Sequence, residues 1–158
     1  MASIWIDKKY TELMSEIAPR EGSEDEHTFT SMAHASCFAA ALAYNQGKAF
    51  DKKLKVNRGS EIRDTVLGNK EFTDQMNMLA MAVTESHQIL DHKDDDLKDQ
   101  RYEILENFTN QGFGILLKLR EKSPTDVTGI NVVTQVLHDQ SAENVGDESM
   151  SELGSPDF

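Results

Sequence analysis

Two histidines and four aspartates form the densest group of titratable side chains in the sequence: His87, Asp91, His92 and Asp94–Asp96. His87 and Asp91 are four residues apart, so on a continuous helix they would share a face and offer an imidazole and a carboxylate to a divalent ion. The group lacks paired histidines with metal-ligand spacing, and aspartates at the start of a helix are already stabilised by the helix dipole. We therefore predict no metal site and no cofactor.

A second pair with chemical potential is His34 and Cys37, three residues apart in an alanine-rich segment. A cysteine nucleophile needs a lowered pKa and an accessible position, whereas an apolar helix usually keeps a cysteine as a small hydrophobic side chain. The sequence also lacks the motifs of phosphate-binding loops, serine-hydrolase elbows and zinc peptidases. We predict that the protein is not an enzyme.

A basic segment between residues 48 and 63 is the candidate contact for DNA or phosphate. It contains Lys48, Lys52, Lys53, Lys55, Arg58 and Arg63. Residues 1–70 carry ten basic and ten acidic side chains, whereas residues 71–158 carry six and eighteen and so hold the whole net charge of −12. Screening at physiological salt lets the basic segment meet a polyanion despite that acidic half. The alternative is an ordinary solvated loop between helices.

The acidic half suggests a different function, in which it imitates DNA and occupies the nucleic-acid channel of a partner. Asp94–Asp96 would then contribute to partner binding, which would depend strongly on salt.

Length and composition limit the class of protein. The chain has 158 residues, 38% hydrophobic residues and one cysteine, which is enough for one modest core and excludes an internal disulfide framework. It has no signal-peptide pattern and no apolar run long enough to cross a membrane. We expect a cytoplasmic protein without a membrane partner.

The spacing of apolar residues predicts a mainly α fold: a single compact helical domain over residues 1–139 with a short N-terminal strand, followed by a disordered acidic tail over residues 140–158. The strand is expected at 4–6, with a further extended piece at 54–56. Helices are expected at about 7–18, 30–46, 60–67, 71–90, 94–119 and 124–139. The fifth helix is expected to continue or kink at Gly112 and Gly114.

The strand followed by helices also permits a ribbon-helix-helix arrangement, in which the strand pairs with its copy in a second subunit and enters the major groove. Here the strand offers Ser3, Trp5 and two isoleucines, and only Lys8 and Lys9 could reach phosphates. Because these residues seldom read base edges, we favour an ordinary buried edge strand.

Three stretches of the chain, at residues 4–10, 29–47 and 106–116, resemble the DNA phosphorothioation-associated protein 4 family. The second includes Phe38-Ala39-Ala40-Ala41-Leu42-Ala43-Tyr44-Asn45-Gln46-Gly47, and the third is Glu106-Asn107-Phe108-Thr109-Asn110-Gln111-Gly112-Phe113-Gly114-Ile115-Leu116. The resemblance covers roughly residues 3–122. It implies an accessory protein of a bacterial sulfur-modification and restriction system, and it carries no catalytic residue to any position here.

The favoured hypothesis is therefore a non-enzymatic accessory protein of a phosphorothioation-linked, anti-phage restriction system. Its partners would be other proteins of the defence gene cluster, with DNA or a second copy of the chain as further candidates. Apolar stripes that a small chain cannot fully cover favour such a partner interface. The candidate interface residues are Trp5, Phe38, Tyr44, Val133 and Leu137.

Overall fold

Six α-helices and one pair of strands make up the part of the chain that the computed structural model describes, which is residues 3–19, 26–126 and 128–152. The strands are β1 (Ser3–Asp7) and β2 (Arg58–Arg63). The helices are α1 (Thr11–Ile17), α2 (Met32–Asn45), α3 (Asp64–Leu67), α4 (Lys70–Thr84), α5 (Asp95–Glu121) and α6 (Ile130–Glu152). Short 3-10 helices cover Lys8–Tyr10 and His87–Leu90. The predicted mainly α fold with an N-terminal strand is confirmed.

Three helix starts follow from local side-chain chemistry. A carboxylate oxygen of Asp7 accepts a hydrogen bond from the backbone N–H of Lys9, and Ser31 Oγ accepts one from that of His34. Asp94 accepts from the N–H groups of Asp96 and Leu97 at the start of α5. These side chains satisfy N–H groups that have no partner inside a helix, which is why such residues favour N-cap positions.

The core centres on the crossing of α2 and α5. Small side chains cover much of α2, and Gly112 of α5 lies against the backbone of Ala39. One turn earlier, Thr109 Oγ1 donates a hydrogen bond of 3.2 Å to the carbonyl oxygen of Ser36. Phe108 and Phe113 are fully buried beside this crossing. The two helices can approach so closely because no side chain separates their backbones.

One prediction about the middle of the chain is wrong. Residues 60–63, predicted as the first turn of a helix, belong to β2. Residues 54–56 form neither helix nor strand. Strand β2 forms because it pairs antiparallel with β1, with Ile4 opposite Ile62 and Ser3 opposite Arg63. Local helix propensity is overridden by this pairing with a distant segment.

The helix predicted over 71–90 is interrupted. Helix α4 ends at Thr84, where Glu85 adopts a left-handed conformation with φ of 54°, and a separate 3-10 helix follows at His87–Leu90. In contrast, α5 continues without a break through Gly112 and Gly114. These glycines serve close packing against other elements, so they do not end the helix.

The last helix starts later and extends further than the sequence pattern suggested. It begins at Ile130 after Gly129, whose φ is +71°, and the buried side chains of Val132 and Val136 attach it to the core. Its backbone is helical to Glu152, so residues 140–152 of the predicted tail are the end of α6, and residues 153–158 lie outside the described residues. The division into a domain and a disordered tail at residue 139 stays a prediction.

Replacing Gly112 with alanine would put a methyl group 1.8 Å from the carbonyl oxygen of Ala39. Because the obstacle is helix backbone, we expect Gly112→Ala to lower the free energy of unfolding by about 2 kcal/mol or more. This loss exceeds the ~1 kcal/mol that alanine normally gains over glycine inside a helix. Urea unfolding of the purified variants measures the difference.

Gly114→Ala is the matched control on the same helix. Its methyl group would meet the hydroxyl end of the Tyr10 side chain, 3.0 Å from the oxygen, and a shift of a few tenths of an ångström at the end of that side chain would relieve the contact. We expect its stability to stay within about 1 kcal/mol of the wild type. Equal stabilities for the two variants would contradict the close crossing.

Candidate functional site

One face of α5 uses polar side chains to hold backbone segments in place. Asn107 exchanges two hydrogen bonds with the backbone of Asp51, donating to its carbonyl oxygen at 2.8 Å and accepting from its N–H at 3.0 Å. Gln111 donates to the carbonyl oxygen of Ala49. The loop after α2 is therefore fixed by amide side chains that mimic backbone partners.

The same face of α5 also holds β1. Asn110 donates to the carbonyl oxygen of Trp5 and accepts from the N–H of Asp7, and Glu106 accepts from the N–H of Trp5 at 2.7 Å. Strand β1 thus has β2 on one edge and α5 on the other. Because both edges of β1 are covered, the strand is not free to pair with a second subunit as a ribbon-helix-helix strand would. This arrangement is the one expected of an ordinary buried strand.

Burial raises the pKa of the Glu106 carboxyl above its ordinary value, and nearby Glu103 adds to this effect. The hydrogen bond from Trp5 and the positive charge of Arg58 act in the opposite direction without cancelling it. Glu106 therefore holds β1 at the cost of keeping a carboxylate partly away from water.

The basic segment does not form one continuous patch. Arg58 lies over the ring of Trp5, with its guanidinium carbon 5.1 Å from the ring centroid. Lys8 lies close to Arg58, because the backbone N–H of Lys8 donates to the carbonyl oxygen of Asn57, the residue that precedes Arg58. Arg63 is at the other end of β2, roughly 16 Å away along the strand, and lies 3.5 Å from Glu61. All six basic candidates, Lys48, Lys52, Lys53, Lys55, Arg58 and Arg63, are exposed.

An apolar opening lies between α2 and α4, with Leu105 of α5 at its base. This opening, called the apolar groove below, has a volume of about 310 Å³. It is lined by Cys37, Ala40, Ala41, Tyr44, Asn45, Gln75, Met78, Leu79, Ala82 and Leu105. Met78 is 67% exposed and Tyr44 is 41% exposed, so two large side chains stand at the surface beside small ones.

The five candidate interface residues are on different parts of the surface. Tyr44 lines the apolar groove, and Leu137 is half exposed on α6. Trp5 is partly covered by Arg58, and Phe38 packs against Phe29 with ring centroids 5.2 Å apart. Val133, in the first turn of α6, is only 7% exposed.

Two of the groove residues on α4, Met78 and Ala82, lie outside the apolar stripe that the sequence of this helix shows. That stripe consists of Phe72, Met76, Leu79 and Val83, which pack in the core or at its edge, and its Leu79 also lines the groove. Met78 and Ala82 lie beside that stripe and broaden the apolar surface of the helix. Their four-residue spacing is the signal that could have revealed a second face.

Cys37 and His34 have different surroundings on α2. Burial and the charge of Glu71 raise the pKa of the Cys37 thiol to about 11, so the thiol stays protonated. His34 Nδ1 lies 2.7 Å from Ser31 Oγ at the start of α2, its Nε2 lies 3.6 Å from a carboxylate oxygen of Glu71, and its ring packs nearly perpendicular to that of Phe72. Among the described residues, no three histidine, cysteine, aspartate or glutamate side chains are arranged to hold a metal ion.

A sequence model of the family described as DNA sulphur modification system-associated protein 4 matches residues 4–153. The chain belongs to this family. The match confirms the resemblance seen in the sequence and links the protein to a DNA sulphur modification system. No curated protein and no solved structure matches the chain. In the described residues, no helix has both the length and the apolar character needed to span a membrane.

Replacing Glu106 with glutamine tests the partly buried carboxylate. A raised pKa in the folded state means that wild-type stability falls as pH rises from the ordinary glutamate value through the folded value. Glutamine cannot ionise and still offers an oxygen to the Trp5 N–H. We expect Glu106→Gln to gain stability relative to the wild type between pH 4 and pH 8, as measured by urea unfolding.

The exposed Glu121 on the same helix provides the control. Glu121→Gln should give no comparable rise across that pH range. A Glu106→Gln variant that loses stability relative to the wild type as pH rises would show that the charged form is the favoured one.

Proposed function

We propose that this protein is a non-enzymatic accessory component of a bacterial DNA phosphorothioation-linked restriction system that acts in anti-phage defence in the cytoplasm. It works by binding another protein of that system. The single observation that carries this proposal is the apolar groove, where Met78 and Tyr44 remain exposed around a floor of small side chains.

The proposed occupant is an amphipathic helix of the partner protein. Alanines at positions 40, 41 and 82 leave room for inserted side chains, and the flexible thioether of Met78 can adapt to them. Asn45 and Gln75 supply a polar rim, and none of the lining residues is charged. Glu71, close enough to affect the Cys37 thiol, favours a basic residue on the partner helix. This is the helix-in-groove mode of recognition.

The family description supports a partner within the same system, because it describes the protein by its association with DNA sulphur modification. The absence of enzymatic activity is supported by the protonated Cys37 thiol and by the use of His34 at the start of α2. Mimicry of DNA by the acidic half has less support, since Asp94 already caps α5.

Met78→Glu should weaken binding to the partner about tenfold or more, because it introduces a charge into an apolar contact. Its high exposure means that the folded domain should tolerate the change. Met81→Glu is the matched control: Met81 is also exposed on α4 but does not line the groove. Titration calorimetry with each protein encoded beside it measures the affinities.

Two results would overturn this proposal. One is equal weakening by both variants, or binding to no protein of the system. The other is a stable wild-type dimer that Met78→Glu converts to a monomer in light scattering, because the groove would then be covered by a second copy of the chain.

A second candidate function is contact with DNA phosphates. The observation that favours it is the position of Lys8 beside Asn57, which adds the 3-10 helix lysines to Lys55 and Arg58. Sequence-independent contact with the DNA backbone requires such clustered cations and gives a binding constant that depends on salt.

Under this second candidate, Lys55→Ala combined with Arg58→Ala should weaken duplex DNA binding and reduce the log–log salt slope by about 1.8. Lys118→Ala combined with Lys122→Ala, both exposed near the end of α5, is the control and should leave the slope unchanged. Fluorescence anisotropy over a salt series measures both. A wild-type protein without measurable salt-dependent binding would remove DNA contact from consideration.

A further inference from the structure

A second cavity, separate from the apolar groove, lies where α3, the first half of α4 and the beginning of α5 meet. Its volume is about 280 Å³. The polar and charged side chains that line it are Asp64, Thr73, His92, Lys98, Arg101 and Tyr102. Lys98 and His92 are exposed at its surface, whereas Arg101 and Tyr102 are buried.

Arg101 is the unusual member of this group. Its side chain is only 4% exposed, yet its hydrogen bonds go to backbone carbonyl oxygens: Nη1 donates to Ile89 and, at 3.5 Å, to Asp91. Its Nε is buried without a hydrogen-bond partner. A buried guanidinium ordinarily needs an anionic partner to offset the loss of hydration.

Arg120 on the same helix shows what a satisfied guanidinium looks like. Its Nε and Nη2 donate to the two carboxylate oxygens of Glu16, at 2.8 and 3.2 Å. In Arg101 the corresponding edge of the guanidinium, formed by Nε and Nη2, has no carboxylate partner among the described residues. Its Nη1 donates to a backbone carbonyl oxygen. That edge has the fork geometry that binds carboxylates and phosphates through two parallel hydrogen bonds.

Among the side chains that line the cavity, Arg101 and Lys98 are positively charged and Asp64 is negatively charged, so the charge of the lining favours a negative ligand. The acidic run Asp94–Asp96 does not line this cavity. Burial and the nearby Asp64 raise the pKa of the Tyr102 phenol, so its hydroxyl stays protonated and can donate a hydrogen bond. Thr73 also lines the cavity, and its hydroxyl donates to the carbonyl oxygen of Leu67.

We propose that this cavity binds a small tetrahedral oxyanion, phosphate or sulfate, against the unpaired edge of Arg101, with Lys98 holding it at the cavity mouth. The anion can be free in solution or the terminal group of a larger molecule, since both present the same oxygens. The inference is independent of the apolar groove, whose lining residues are all different.

NMR titration of the full ¹⁵N-labelled chain tests the proposal. The probes are inorganic phosphate, sulfate, methyl phosphate and acetate, each at constant ionic strength set with chloride. We expect phosphate and sulfate to shift the Arg101 Nε–H and Tyr102 amide signals along a saturable curve. Methyl phosphate, a monoester, distinguishes the sources: saturable binding as tight as that of phosphate indicates the terminal group of a larger molecule, and failure to bind indicates a free anion.

Two variants should change the affinity for phosphate in opposite directions. Lys98→Ala removes an exposed cation and should weaken binding about two- to fivefold. Asp64→Asn removes the carboxylate in the cavity and should strengthen binding. Lys93→Ala is the control, because this exposed lysine lies nearby along the chain but does not line the cavity, and it should leave the affinity unchanged.

These variants leave Arg101 in place and so avoid the loss of a buried side chain. The proposal is overturned if the Arg101 and Tyr102 signals do not saturate with phosphate or sulfate, or if acetate binds as tightly. It is also overturned if Lys93→Ala weakens binding as much as Lys98→Ala, because the effect would then be general screening.

Discussion

The close contact between Gly112 and Ala39 is the constraint on which the rest of this fold depends. At this crossing the backbone of α5 touches that of α2, so neither position tolerates a bulky side chain facing the other. The crossing fixes which side of α2 faces α4, and hence where Ala40, Ala41 and Tyr44 open onto the apolar groove. A packed core transmits such a constraint because it has little free volume to absorb a displacement.

Residues 106–116, one of the three stretches that resemble the family, surround Gly112 and hold other segments of the backbone in place. Glu106 and Asn110 hold the backbone of β1, and Asn107 and Gln111 hold the loop that follows α2. Polar residues on a central helix thereby replace backbone partners that a larger sheet would supply. The polar side chains of this segment therefore stabilise the domain.

Prediction from the sequence succeeded where the cause is local and failed where the partner is distant. Asp7, Ser31 and Asp94 cap helices within three residues, so the sequence revealed them and with them the mainly α fold. Strand β2 depends on pairing with β1, more than fifty residues earlier, and the local sequence of β2 does not indicate that pairing. The break at Glu85 likewise depends on how α4 packs and not on a glycine or proline.

The candidate sites were harder to predict than the fold, because they depend on which polar groups and apolar surfaces have no partner after folding. Lys98 and Arg101 look like ordinary helix cations in the sequence, as does Arg120, and only the packing distinguishes a guanidinium paired with Glu16 from one that meets carbonyl oxygens. Leu105, one turn further along α5, lines the apolar groove. One rigid helix therefore supports the apolar groove and the cationic cavity. Because both sites also use side chains of α4, a ligand that moves α4 relative to α5 at one site would alter the shape of the other.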